Sequence, residues 1–178
     1  MPRLHTQDIA TATGQAAQLF TAIKSAVGKV PNAYANIGVN SAVALESVLG
    51  LDASLRKSSL KSTQIEAIKL AVSEAAACDY CLAAHSLMAK KLGLSAEAVI
   101  GLRRAEASGD AQLDALTVFV RELVTTRGTV PAASVAAVKA AGYSDAQIVD
   151  TLLAVTAITF TNLFNRVNDT VVDFPAAD

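Results

Sequence analysis

Cys78 and Cys81 stand three residues apart, and His85 follows four residues beyond the second thiol. On one continuous helix, at about 100° per residue, Cys81 lies near −60° and His85 near −20° relative to Cys78, so the three share a face and can touch. A free cysteine ionises near about 8.5, and a helix N-terminus or an adjacent imidazole raises the reactive thiolate fraction at neutral pH. Two carboxylates could tune the imidazole. Helix geometry favours Glu74, four residues before Cys78. Glu66, twelve before, would sit about 18 Å away along an unbroken helix and can join the site only if the chain turns near Ala77.

Other readings of these residues compete. Free cysteines are often small buried hydrophobes. Cys78, Cys81 and His85 could bind zinc, but a structural zinc site wants four ligands and no second close Cys/His pair is present. Glu66 follows Thr63 by three residues, which fits a capping box with no catalytic role. Glu74 reads as a solvated or salt-bridged helix residue, and His5 as a bland terminal one.

The elements that must position these residues are helical. Apolar residues recur at three- and four-residue intervals, and Ala, Leu, Lys, Gln and Glu outnumber the β-branched and aromatic residues that strands prefer. The fold class is therefore all-α. The first helix is expected over Thr6–Ala26, with a second from Pro31 to about Leu49 and a short third over Leu51–Lys57. The next opens at Thr63 and carries Ile65, Ile68, Leu70 and Val72 to the cysteine region, and another runs from Cys81 to Leu92. Ser95 caps the segment holding Val99, Ile100 and Leu102. Leu113, Leu116, Val120, Leu123 and Val124 define the buried stripe of a helix ending near Gly128, and Pro131 starts a short one ending at Gly142. Ser144 and Gln147 form the capping box of the last, whose Leu152–Phe160 stretch is apolar nearly all round. Gln64-Ile65 followed by Leu70-Ala71-Val72-Ser73 is echoed by Gln147-Ile148 followed by Leu153-Ala154-Val155-Thr156, at an offset of 83.

The chain has 178 residues, 52% of them hydrophobic, with 15 Lys+Arg against 16 Asp+Glu. That suits one domain spanning 1–178, with a core over about 6–168 and an extended C-terminal tail. Balanced charge without a basic cluster argues against nucleic acid as a partner. The Leu152–Phe160 stretch is shorter than the roughly 20 residues a bilayer requires, so no membrane partner is expected. The N-terminal residues lack the pattern of a secretory signal, which makes the cytoplasm the expected compartment. A C-x-x-C pair there points to redox chemistry or metal before structural stapling.

The run from Glu66 through Cys78-Asp-Tyr80-Cys81 to His85 resembles the signature of the alkylhydroperoxidase D (AhpD-like) branch of the carboxymuconolactone decarboxylase family. The likeness extends to Val30-Pro31-Asn32, Leu55 to Leu60, Phe164-Asn165-Arg166 and Asp173-Phe174-Pro175. It implies an all-helical subunit assembling as a homo-oligomer, a trimer or hexamer, and a site in which Cys78, Cys81, His85 and Glu66, in preference to Glu74, form a dithiol with a proton relay. The implied activity is reduction of hydroperoxides with no bound cofactor and no metal. A lipoylated protein or other external dithiol reductant would reopen the disulfide. His85, one turn beyond Cys81, makes Cys81 the expected attacking thiol and Cys78 the resolving one. A thioredoxin-like order, in which the first cysteine attacks, fits the same spacing. Some peroxidases of the family carry a second His between the cysteines where this chain has Tyr80, which is expected to pack or to donate a hydrogen bond to substrate. The C-x-x-C argues against the lactone decarboxylation of the family's name. A non-enzymatic redox sensor or a general disulfide exchanger on the same scaffold is the alternative.

Overall fold

The computed structural model describes residues 1–177. Among these there are nine α-helices, one 3-10 turn at Ile9–Thr11 and no strand. The helices are α1 (Gly14–Val27), α2 (Asn32–Asn40), α3 (Ala42–Leu55), α4 (Ser62–Ala75), α5 (Asp79–Lys91), α6 (Ala96–Arg104), α7 (Ala111–Thr125), α8 (Ala132–Ala140) and α9 (Asp145–Asn168).

Helix α4 is the axis of the molecule. It packs against α5, α6, α7 and α9, and every residue from Gln64 to Ser73 is buried. One hydrophobic cluster joins α4, α7 and α9 through Ile65, Ile68, Leu116, Val120, Ala154 and Ile158, and includes both cysteines. A second places Ala67 and Leu70 of α4 against Ala89, Val99 and Leu102. A third holds Phe20, Ile23, Ile37 and Leu45 of α1–α3 together. Gly38 is required there, because a Cβ would stand 2.5 Å from the Phe20 ring.

The sequence places most helix ends well. Ser144 and Gln147 form the expected reciprocal cap of α9, and Ser95 accepts from the Ala98 N–H at the start of α6. Three expectations fail. The first helix begins at Gly14, since residues 9–11 form a separate turn capped by Asp8. The expected Pro31–Leu49 helix is two, broken at Ser41, whose extended backbone ends α2 while its hydroxyl caps α3; the short third helix is absorbed into α3. The Thr63/Glu66 capping box does not form. The cap lies at Lys61, whose N–H donates to Gln64 Oε1 at 2.9 Å, so Glu66 stands beyond the first turn, free for another role.

Helix α9 is 24 residues long and, with a mean hydropathy of 1.4 over 18 residues, has the length and composition of a spanning helix, unlike the short stretch read from the sequence. Its inner face packs on α3, α4 and α5 and carries the buried side chains of Asn162, Asn165 and Asn168.

Candidate active site

The chain does turn where Glu66 needs it to. Helix α4 ends at Ala75–Ala76, and Ala77 adopts the left-handed conformation, φ 48°. The Cys78 N–H returns to the Ser73 carbonyl at 3.0 Å and the Ala77 N–H to Glu74 at 3.0 Å, closing the end of α4 with alanine where glycine is usual. That conformation costs a non-glycine residue about 1–2 kcal/mol. The Arg166 guanidinium of α9 donates to the Ala77 carbonyl and fastens the corner.

Folding α5 back along α4 brings Glu66 to His85, with Oε2 2.8 Å from Nδ1. Glu66 and His85 are the two members of the expected site that the turn unites. A carboxylate accepting from Nδ1–H leaves Nε2 as the ring nitrogen available for proton exchange. Glu74 instead pairs with Arg103 at 2.8 Å, so the structure separates the two candidate carboxylates.

Both cysteines are reduced and buried, with their sulfurs 2.8 Å apart. Cys78 is the N-cap residue of α5, where the helix dipole favours a thiolate. The hydrogen bond from the Cys81 thiol holds the Cys78 thiol below the ordinary range against the opposing effect of burial, with help from the Arg166 charge. Cys81 moves far upward, because it supplies that hydrogen bond and is itself buried. The hydrogen bond between the sulfurs and the helix start thus favour ionisation of Cys78 over Cys81. The helix start and the shared hydrogen bond act on Cys78, whereas His85, the ground for expecting attack by Cys81, is bonded through Nδ1 to Glu66.

Tyr80 does not point its hydroxyl at an open substrate position. It donates to Asp173 Oδ1 at 2.7 Å and accepts from the Ala33 N–H at 3.0 Å, while its ring meets Phe174 edge-on at 5.5 Å. Burial and the Asp173 carboxylate drive its pKa far up. Asp173 also pairs with Lys29 at 3.0 Å, Lys29 lies 4.4 Å from the Phe174 ring centre, and Asn32 Nδ2 donates to the Val171 carbonyl. Residues 170–174 therefore form a strap, docked on the chain's own α2 and α5. Beside it a cavity of about 410 Å³ is bounded by Asp79, Leu82, Ala83, Arg103, Val172 and Phe174.

The sequence reading missed what α9 contributes. Asn165 Nδ2 donates to Cys81 Sγ at 3.4 Å, Thr161 lies close enough to favour the Cys81 thiolate by hydrogen bonding, and Asn162 Oδ1 accepts from Ser73 Oγ at 3.1 Å. The available signal was the spacing of Asn162, Asn165 and Asn168, which puts polar residues on the inward face of the helix just beyond the Leu152–Phe160 stretch read as apolar nearly all round. Beyond Glu66, α4 carries Lys69, paired with Asp52 at 2.8 Å, and Tyr34 donates to the same carboxylate. Among the described residues, no three His, Cys, Asp or Glu side chains converge as a metal-ligating group.

Residues 43–120, which contain Glu66, both cysteines and His85, match the carboxymuconolactone decarboxylase family. The AhpD-like fold is equally plain. The chain superposes with a TM-score of 0.86, at 16% identity, on the alkylhydroperoxidase AhpD core of an uncharacterised peroxidase-related protein from Ralstonia eutropha, covering 97% of this chain and 92% of that one. It matches a peroxidase-related protein from Silicibacter sp. at 0.80 and 20% identity, covering 96% and 91%. It also matches the debrominase Bmp8 in complex with 2,3,4-tribromopyrrole at 0.80 and 16% identity, covering 97% and 94%. At these identities the likeness is one of fold. No curated protein sequence matches the chain significantly. The likeness to the carboxymuconolactone decarboxylase family, read first from Glu66 to His85, thus holds over residues 43–120, and the AhpD-like fold over nearly the whole chain.

Proposed function

We propose that the protein is a thiol-dependent peroxidase that reduces small hydroperoxides through Cys78 and Cys81. The observation that carries this reading is the pair of free thiols itself: two sulfurs 2.8 Å apart, one of them at a helix N-terminus. The Cys78 thiolate attacks the distal oxygen of ROOH, the O–O bond breaks, and ROH leaves after taking one proton. The sulfenic acid on Cys78 then condenses with the Cys81 thiol, forming the S–S bond and releasing water. His85, oriented by Glu66, supplies and recovers protons through Nε2. An external dithiol, such as a lipoyl group, reduces the disulfide and becomes a disulfide itself. No bound cofactor enters the cycle, and a reducing, cytoplasmic compartment would keep the pair in the thiol state. Val149, Leu152, Phe160, Leu163 and Val167 of α9 stand exposed in one stripe, and we assign them to contact between copies of the chain in a homo-oligomer.

Steady-state turnover of tert-butyl hydroperoxide with dihydrolipoamide tests the reading. Sustained consumption, abolished by Cys78→Ser or Cys81→Ser, is the expected result. Sulfenic acid should be trapped in Cys81→Ser and not in Cys78→Ser; the reverse pattern would restore Cys81 as the attacking thiol. Wild-type protein that forms the disulfide with other oxidants but does not turn over hydroperoxide would make it a sensor or a disulfide exchanger.

A further inference from the structure

Two buried side chains next to the dithiol hold polar atoms with no hydrogen-bond partner: Asn162 Nδ2, a donor, and Asn165 Oδ1, an acceptor. Their residues are 1% and 5% exposed, and leaving such a group unpaired costs about 1–3 kcal/mol. Both are held by groups already tied to the site. Asn162 is fixed through Oδ1 by Ser73, whose carbonyl receives the Cys78 N–H. Asn165 is fixed through Nδ2 by Cys81 Sγ. The remaining donor and acceptor belong to residues three apart, both buried on the inner face of α9.

We infer that Asn162 and Asn165 form the subsite for the distal O–H of the hydroperoxide. The terminal oxygen of ROOH both accepts and donates a hydrogen bond, so it satisfies Asn162 Nδ2 and Asn165 Oδ1 together, which an ether, an alkyl halide or the alkoxy oxygen of the same peroxide does not. The oxygen so held is the one transferred to sulfur. After the O–O bond breaks it remains as the S–OH oxygen, held until condensation with the second thiol releases it as water. The product alcohol leaves from the other side of the broken bond, so the R group is not gripped by this pair. The subsite therefore selects the hydroperoxide group and leaves the organic substituent to be limited by space alone.

This inference rests on the peroxidase reading, and one experiment separates the two. The reduced protein is mixed rapidly with tert-butyl hydroperoxide and, separately, with iodoacetamide, which alkylates the thiolate without an O–H to hold. Asn162→Leu, and Asn162→Asp, which keeps the acceptor for Ser73 Oγ, each remove the donor. The expected result is a loss of about 10- to 100-fold in the hydroperoxide rate, with alkylation changed less than twofold and its pH midpoint unmoved. Equal losses with both reagents, or an unchanged hydroperoxide rate, overturn the subsite while the peroxidase reading stands. A wild-type protein that alkylates but does not react with hydroperoxide overturns both. If Asn162→Leu fails to fold, Asn162→Asp decides the matter.

Discussion

Helices α4 and α9 open with the same device, a glutamine at the third position bonded back to the cap residue, and at matching positions they use opposite chemistry. At the offset of 83 that aligns Gln64 with Gln147, Glu66 meets Val149, Lys69 meets Leu152 and Ser73 meets Thr156. The three polar members on α4 are buried, whereas Val149 is 64% and Leu152 44% exposed. A helix surrounded by four others can bury charge only where each group has a partner, and α4 supplies them: His85 for Glu66, Asp52 for Lys69, Asn162 for Ser73. Helix α9 faces protein on one side only, and its outer side carries apolar residues left largely exposed. The difference teaches that polarity inside goes with the candidate site, and apolarity outside with the face we assign to contact between copies of the chain.

The comparison breaks most visibly at Lys69. Lys69→Leu removes one partner of a buried pair and leaves Asp52 uncompensated, so equilibrium denaturation should register a loss of about 3–5 kcal/mol. Leu152→Lys, at the matching position on α9, should change the stability of the isolated chain by less than about 0.5 kcal/mol. Glu66→Gln keeps the shape of the site but loses the carboxylate that orients the imidazole; hydroperoxide turnover should fall by about 10²-fold with little change in the melting temperature. On the outer side, Leu163→Asp should dissociate the assembly in sedimentation at unchanged helix content; an assembly indifferent to this change would remove α9 as the contact.

Titration sharpens the same contrast between inner and outer groups. Burial pushes Tyr143 up to about 12 and carries Tyr34 and Tyr80 further in the same direction. A phenol raised in the folded state stabilises the fold while protonated. That contribution is complete below the unfolded value of about 10 and is lost as pH rises through the folded value. Stability measured by denaturant should therefore fall from about pH 10 upward, and Tyr143→Phe should flatten part of the slope. The smallest expected effect concerns the thiols. The pH midpoint of Cys78 alkylation should lie below about 8.5, and Cys81→Ala should move it upward, since the Cys81 hydrogen bond is the leading cause of the shift.

The helical class and most of the caps were legible because they depend on neighbours within four residues, as at Ser95, Ser144 and Gln147. The break at Ser41 was not, since a serine inside an apolar periodic run gives no local sign that it will end one helix and begin the next. From helix geometry Glu66 was legible only as a condition on Ala77, and it was the family resemblance that chose it over Glu74; the capping box that competed for it lay two residues out of register in a run of polar residues at 61–64. The contributions of Asn162, Asn165 and Ser73, and the hold of Asp173 on Tyr80, join positions about 90 residues apart. No periodicity records such pairings.

The strap held by Tyr80 has an optical consequence. The chain contains no tryptophan and three tyrosines, so its ultraviolet emission comes from phenols alone, and one of these lies between the two cysteines. A disulfide quenches tyrosine fluorescence at short range far more strongly than thiols do. Closing Cys78 to Cys81 should therefore dim the native emission, and Tyr80→Phe should remove most of that change. The protein would thereby report its own oxidation state without a label.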